Sequence, residues 1–119
     1  MALRARSTSV IIASTSAAAP TALLTASSTL TRYIRSISVY NNDSSARTWN
    51  LEFGAATLTA ANSEPFGESI AANSARAAGP IYYGGKGRRI DNTAISAFAS
   101  AASVVMVDIV YDESDVVDA

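Results

Sequence analysis

The chain has 119 residues, of which 49% are hydrophobic, with nine Lys/Arg against ten Asp/Glu and neither His nor Cys. That length holds one domain with a modest core, and the missing Cys excludes a disulfide framework and a thiolate zinc site. Most of the usual general bases, activated nucleophiles and transition-metal ligands are absent with those two residue types, so neither an enzyme nor a cofactor nor a metal is expected.

The opening Met1-Ala2-Leu3-Arg4-Ala5-Arg6, followed by Val10-Ile11-Ile12-Ala13, has the outline of a secretory signal, but its apolar run is too short and too broken by Ser and Thr. Residues 1–29 are expected instead as an extended N-terminal arm with one or two short strands. Ser and Thr compete with helix for the backbone, and Pro20 divides Val10–Ala13 from Ala22–Leu24. The arm has too few large apolar side chains for a core of its own, so it is expected to be ordered by another subunit or a larger assembly.

Thr31–Tyr40 alternates, with Tyr33, Ile37 and Val39 on one face and Arg32, Ser36 and Ser38 on the other, which predicts a strand. Asn41-Asn42-Asp43-Ser44-Ser45 reads as a turn. Arg47–Phe53 sets Trp49, Leu51 and Phe53 against Thr48, Asn50 and Glu52, and the two runs together predict an antiparallel hairpin. Thr57–Thr59 is expected as a short irregular strand and Pro65–Ile70 as another, with a reversal at Asn73-Ser74. Ile81-Tyr82-Tyr83 follows Gly79-Pro80, and Gly84-Gly85-Lys86-Gly87 reads as a hairpin tip.

Arg88–Asp91 leads into Ala94–Ser100, where Ile95, Ala97 and Ala99 alternate with Ser96, Phe98 and Ser100. Val104–Tyr111 is apolar on both faces except at Asp108, which predicts a central strand or one covered on its second side. Residues 114–119 form an acidic tail. Seven or eight short strands predict an all-β fold, an antiparallel β-sandwich or jelly roll over residues 30–113. Its expected core is Ile37, Val39, Trp49, Leu51, Phe53, Val105, Val107 and Ile109. No apolar run is long enough to span a membrane.

Charge is uneven: residues 1–89 hold all nine bases against four acids, and residues 90–119 hold six acids and no base. Such polarity suits head-to-tail alignment of copies. Arg4, Arg6, Lys86, Arg88 and Arg89 are the candidate partner contacts. The glycine loop around Lys86 lacks the spacing of a nucleotide-binding loop. Arg32, Tyr33, Arg35 and Tyr40 are spaced as in a nucleic-acid face, but Tyr33 shares the apolar phase and the chain is net acidic, so no nucleic acid is expected. Asp108, Asp112, Glu113, Asp115 and Asp118 lack calcium-loop spacing, and carboxylates at a chain end are usually solvated or paired with Arg. Trp49, Tyr82 and Tyr83 are candidates for stacking on sugar rings.

From Thr31 onward the order of elements resembles small β-sandwich virion proteins of tailed bacteriophages. The matching runs are Tyr33–Asn41, Thr48–Gly54, Ile70–Ser74 leading to Gly79-Pro80-Ile81, and Ile95–Ser103 before the closing strand. The resemblance covers roughly residues 30–113 and rests on common turn and strand residues; the Ala/Ser arm before Thr29 lies outside it. It implies a non-enzymatic head decoration or cement subunit in the virion, or alternatively a neck or tail component. The partners it implies are copies of the chain, taken as a trimer, and a major capsid protein or other virion proteins, so that another subunit or the capsid shell is expected to order the arm. A glycan-binding host-attachment module is the alternative from another class, and burial of the three aromatic rings separates it from a purely structural part.

Overall fold

The computed structural model describes residues 3–115. Met1, Ala2 and the tail from residue 116, including Asp118, lie outside the described residues. Ten strands follow one another: β1 (Arg4–Ile11), β2 (Thr21–Leu24), β3 (Leu30–Asn41), β4 (Arg47–Phe53), β5 (Glu68–Ile70), β6 (Ser74–Ala75), β7 (Ile81–Tyr82), β8 (Arg88–Asp91), β9 (Ile95–Ala99) and β10 (Val105–Asp115). They form two antiparallel sheets: sheet A in the order β1-β10-β3, with β6, β7 and β8 all pairing the far side of β3, and sheet B in the order β2-β9-β4-β5. Counted as one interrupted strand, β6–β8 complete an eight-stranded jelly roll, the expected fold class.

Period-two alternation places the core between the sheets. Ile37, Val39, Trp49, Leu51, Val105, Val107 and Ile109 are buried there as predicted, and Phe53 packs partly buried at the margin. Ile95, Ala97 and Ala99 supply the same face from β9.

The expected hairpin of β3 and β4 does not form, since the two strands belong to different sheets. Asn41 explains the crossing. Fully buried at the end of β3, its Nδ2 donates to the Ser45 carbonyl at 2.9 Å and the Ile70 carbonyl at 3.1 Å, and its Oδ1 accepts from Asp43 N at 2.9 Å. The Asn/Asp/Ser turn is thereby tied across the sandwich instead of folding back on β3.

A second departure lies within β3. Ser36 pairs Val110 but Ile34 pairs Tyr111, so Arg35 is an extra residue and the strand carries a β-bulge. Beyond it the phase reverses: Ile34 joins the core, and Tyr33, expected on the face of Ile37 and Val39, turns to the outer side. The partner strand breaks at the same place. β7 and β8 run in line along β3, and Gly84–Gly87 is an excursion between them, not a hairpin tip. Gly87 has φ of +101°, and a Cβ there would lie 2.5 Å from the Ile34 carbonyl oxygen, so only glycine fits.

The expected arm is also placed differently. From Arg4 onward it belongs to this chain's own sandwich, with β1 on β10 and β2 on β9. Ile12, Leu23 and Leu24 enter the core; three well-placed apolar residues suffice when the rest of the core is supplied by other strands. Thr57–Thr59 forms no strand; Leu58 is buried and its N–H donates to the Ala17 carbonyl at 3.1 Å, which holds the segment against the β1–β2 connection.

Candidate assembly interface

β10 is central, as its apolar character predicts, but its second face is not covered by any other of the described residues. The register aligns Ile11, Met106 and Tyr40 in one row across the outer face of sheet A, then Ser9, Asp108 and Ser38, then Ser7, Val110 and Ser36. Ile11, Met106, Tyr40 and Val110 are 37–48% exposed. Single exposed apolar residues are ordinary; a row of three, with Val110 two rows further on between small serines, has the makings of a docking surface. The one charge among these rows, Asp108, accepts a hydrogen bond from the Ser9 hydroxyl.

The candidate cations separate into two groups. Arg4 and Arg6 lie at the open end of the sandwich, on the inner phase of sheet A. Arg6 Nε is 2.9 Å from Glu113 Oε1, and Arg4 reaches Glu113 at 3.8 Å and Asp115 at 3.4 Å. The hydrogen bond to Glu113 raises the Arg6 guanidinium above its ordinary value. Arg32 Nε approaches the same carboxylate at 3.9 Å, and its Nη1 donates to the Thr25 carbonyl at 2.5 Å. Arg4 and Arg6 therefore close the sandwich against their own chain.

Lys86, Arg88 and Arg89 gather around β8. Arg89 pairs with Asp91 at 2.9 Å, and hydrogen bonds from Arg89 and Thr31 hold the Asp91 carboxyl below its ordinary value. Lys86 Nζ stands 6.0 Å from the Tyr33 ring centre. The Arg88 guanidinium stacks 3.7 Å above the Phe53 ring. It forms a wall, with Glu64, common to two adjoining hollows of about 430 and 210 Å³. Among the described residues neither Lys86 nor Arg88 has a carboxylate within ion-pair distance.

The three candidate sugar-stacking rings do not converge. Trp49 is fully buried, and its Nε1 donates to Glu68 Oε1 at 2.9 Å, so it presents no ring to a sugar. Tyr83 is half-buried and edge-on to Phe53, with centroids 5.8 Å apart; burial pushes its phenol up, partly offset by Arg88. Tyr82 alone is open, at 75% exposure. The acidic residues are likewise distributed: Asp112 pairs with Arg35 at 2.9 Å, Glu113 with the arginine cluster and Asp115 with Arg4.

Glu52 was not singled out by its sequence, which reads simply as the solvent phase of a strand. It is buried on the outer side of sheet B, opposite Ser96, and its Oε2 has no hydrogen-bond partner. Burial raises its carboxyl above the ordinary range. A raised folded-state value gives stability that is complete below the unfolded carboxyl's titration and is lost as pH rises through the folded value. Glu52→Gln is therefore expected to raise the melting temperature at neutral pH, with the gain shrinking toward about pH 4. Thermal melts of both proteins across that range check it, and a pH-independent difference would contradict it.

No protein-family model matches the chain, and no curated protein matches it. Among solved structures the chain is similar to one from the cryo-electron microscopy structure of the virus-like particle of the giant freshwater prawn Macrobrachium rosenbergii extra small virus. The identity is 11% and the TM-score 0.47, over 95% of this chain and 79% of that one.

Proposed function

We propose that this protein is a non-enzymatic structural subunit of a virus particle that assembles with copies of itself. The observation that carries the reading is the outer face of sheet A. A central strand that is apolar on both sides has been left with Met106 in solvent, in register with Ile11 and Tyr40, and with Val110 in solvent between Ser7 and Ser36. Packing such a face against a protein neighbour removes apolar surface from water, and of the charges on the outer side of β10 Asp108 is bonded by Ser9 and Asp112 is already paired with Arg35. The jelly roll supports the reading at the level of fold, since it recurs in viral shell proteins, although it also serves lectin domains.

Within that role the resemblance to phage virion proteins favours a head decoration or cement subunit, with a major capsid protein as neighbour; a neck or tail component is the alternative. A glycan-binding module retains one supporting observation, the open Tyr82 ring.

Co-expression with particle proteins, followed by electron microscopy, tests the reading: the protein is expected on particles at regular positions. Met106→Asp is expected to reduce its assembly or particle retention while changing stability by only about 0.5 kcal/mol, as for other surface substitutions. Undiminished assembly of this folded variant would overturn the role of the face. Failure to join any particle, with binding to a glycan array lost in Tyr82→Ala, would favour the attachment module.

A further inference from the structure

We propose that β1 is a docking edge for a second copy of this chain, two β1 strands pairing antiparallel about a two-fold axis through Thr8. This rests on the assembly reading above and specifies where copies meet.

The sheet edges differ in how they are protected. The far edge of sheet A is broken into β6, β7 and β8 by intervening loops. Sheet B ends in β2, four residues with a register shift, and β5, three residues. Short, interrupted or bulged edges are the devices by which proteins prevent strand addition. β1 has none of them: eight residues pair β10 without a shift, and the strand contains neither Pro nor Gly. Its inward-pointing charges, Arg4 and Arg6, are neutralised by Glu113 and Asp115 of the same chain.

The backbone fixes which groups are free. Ile12 N donates to the Val105 carbonyl at 2.8 Å, and antiparallel strands alternate between bonded and non-bonded pairs. Val10, Thr8 and Arg6 therefore direct their N–H and C=O to β10, while those of Ala5, Ser7, Ser9 and Ile11 point out from the sheet. Outward-pointing residues must oppose outward-pointing residues. The register that uses all four sets Ala5 against the partner's Ile11 and Ser7 against the partner's Ser9, each twice by symmetry. It makes about eight interchain hydrogen bonds.

Side chains agree with this register. Ile11, 48% exposed, lies beside the small Ala5 of the partner subunit on the outer face. Arg6 lies opposite the partner's Val10, so no like charges meet. The exposed row of Ile11, Met106 and Tyr40 then ends against a small side chain of the second copy, with no charge placed beside Ile11.

The chain has no Cys, so single cysteines report the register cleanly. In the full chain, Thr8→Cys would place two thiols in a non-bonded pair with Cα atoms about 4.5 Å apart, within disulfide range. Mild oxidation is expected to give a covalent dimer at least several-fold faster than for Ser7→Cys. Ser7→Pro removes an outward N–H while leaving the bonds to β10 intact; it is expected to weaken self-association at least tenfold by analytical ultracentrifugation without lowering the melting temperature at dilutions where the unmodified chain is monomeric. Cross-linking of Thr8→Cys no faster than of Ser7→Cys would overturn the register, and unchanged association of Ser7→Pro would overturn the edge. Incorporation of Ser7→Pro into particles at the unmodified level overturns the edge alone; a dimer that pairs through β1 yet enters no particle overturns the virion reading alone.

Discussion

Trp49→Ala is expected to lower stability by about 3–5 kcal/mol, the range for truncating large buried aromatics. For a domain of this size the melting temperature should fall on the order of 10–20 °C. The ring has no exposed surface and lies on the inner face of β4, level with Ala99 of β9 and Glu68 of β5. Its neighbour on β9 is a methyl group, too small to fill the space the ring would leave. The indole also donates to Glu68 Oε1, which receives Arg76 Nε at 2.7 Å. Burial pushes the Glu68 carboxyl up, but the donors from Arg76 and Trp49 outweigh it and hold the group below its ordinary value. Trp49→Phe keeps most of the volume and loses the donor, so a smaller drop separates packing from hydrogen bonding. Thermal melts by circular dichroism decide the matter; a change of only a degree or two would show the ring to be dispensable.

Glu113→Ala should be nearly as damaging, at about 3 kcal/mol or more, because it strands a buried guanidinium. The Arg32 side chain is 10% exposed, and its Nε already lacks a hydrogen-bond partner. Glu113 is the one carboxylate within ion-pair reach of it among the described residues. The exposed partners matter less: Arg6 is half in solvent, and Arg6→Ala is expected to cost far less than Glu113→Ala. Replacing both members, Arg32→Met with Glu113→Leu, should recover much of the loss, since an apolar pair carries no desolvation penalty. Chemical denaturation of the single and double variants gives the comparison, and additive losses would refute the account.

The strands were legible wherever alternation was strict, with large residues as in Trp49-Leu51-Phe53 or with small ones as in Ile95-Ala97-Ala99. Partner choice was not, because an Asn/Asp/Ser turn looks alike whether it closes a hairpin or crosses between sheets; what decides is Asn41, whose burial depends on Ile70 and Ser45 being nearby. The bulge leaves no mark in the sequence because Arg35 is compatible with either phase of β3, and the alternation on its C-terminal side runs on without a break to Tyr33. In the low-complexity start, Ile12, Leu23 and Leu24 were too sparse to signal a core that other strands complete. The candidate cations were recognisable as cations, but their division into an internal cluster and a group around β8 depends on register. The open row on sheet A was half visible: both faces of β10 read as apolar, while the absence of a cover required the topology.

β10 follows every other described strand in the chain, yet it lies between β1 and β3 at the middle of sheet A. The partner of Arg4 is Glu113, so the first strand waits through nearly the whole domain for the one strand it pairs with. At roughly 5–20 residues per second of synthesis, β1 spends several seconds or more with both of its edges unpaired, and folding dominated by such distant pairings belongs to the slow, millisecond-to-second class. During that interval a β10 from another nascent chain would fit β1 as well as its own. Exchange of this strand between chains made on the same message is thus a built-in hazard of the topology, and at the same time a route by which neighbours could become joined before either has finished folding.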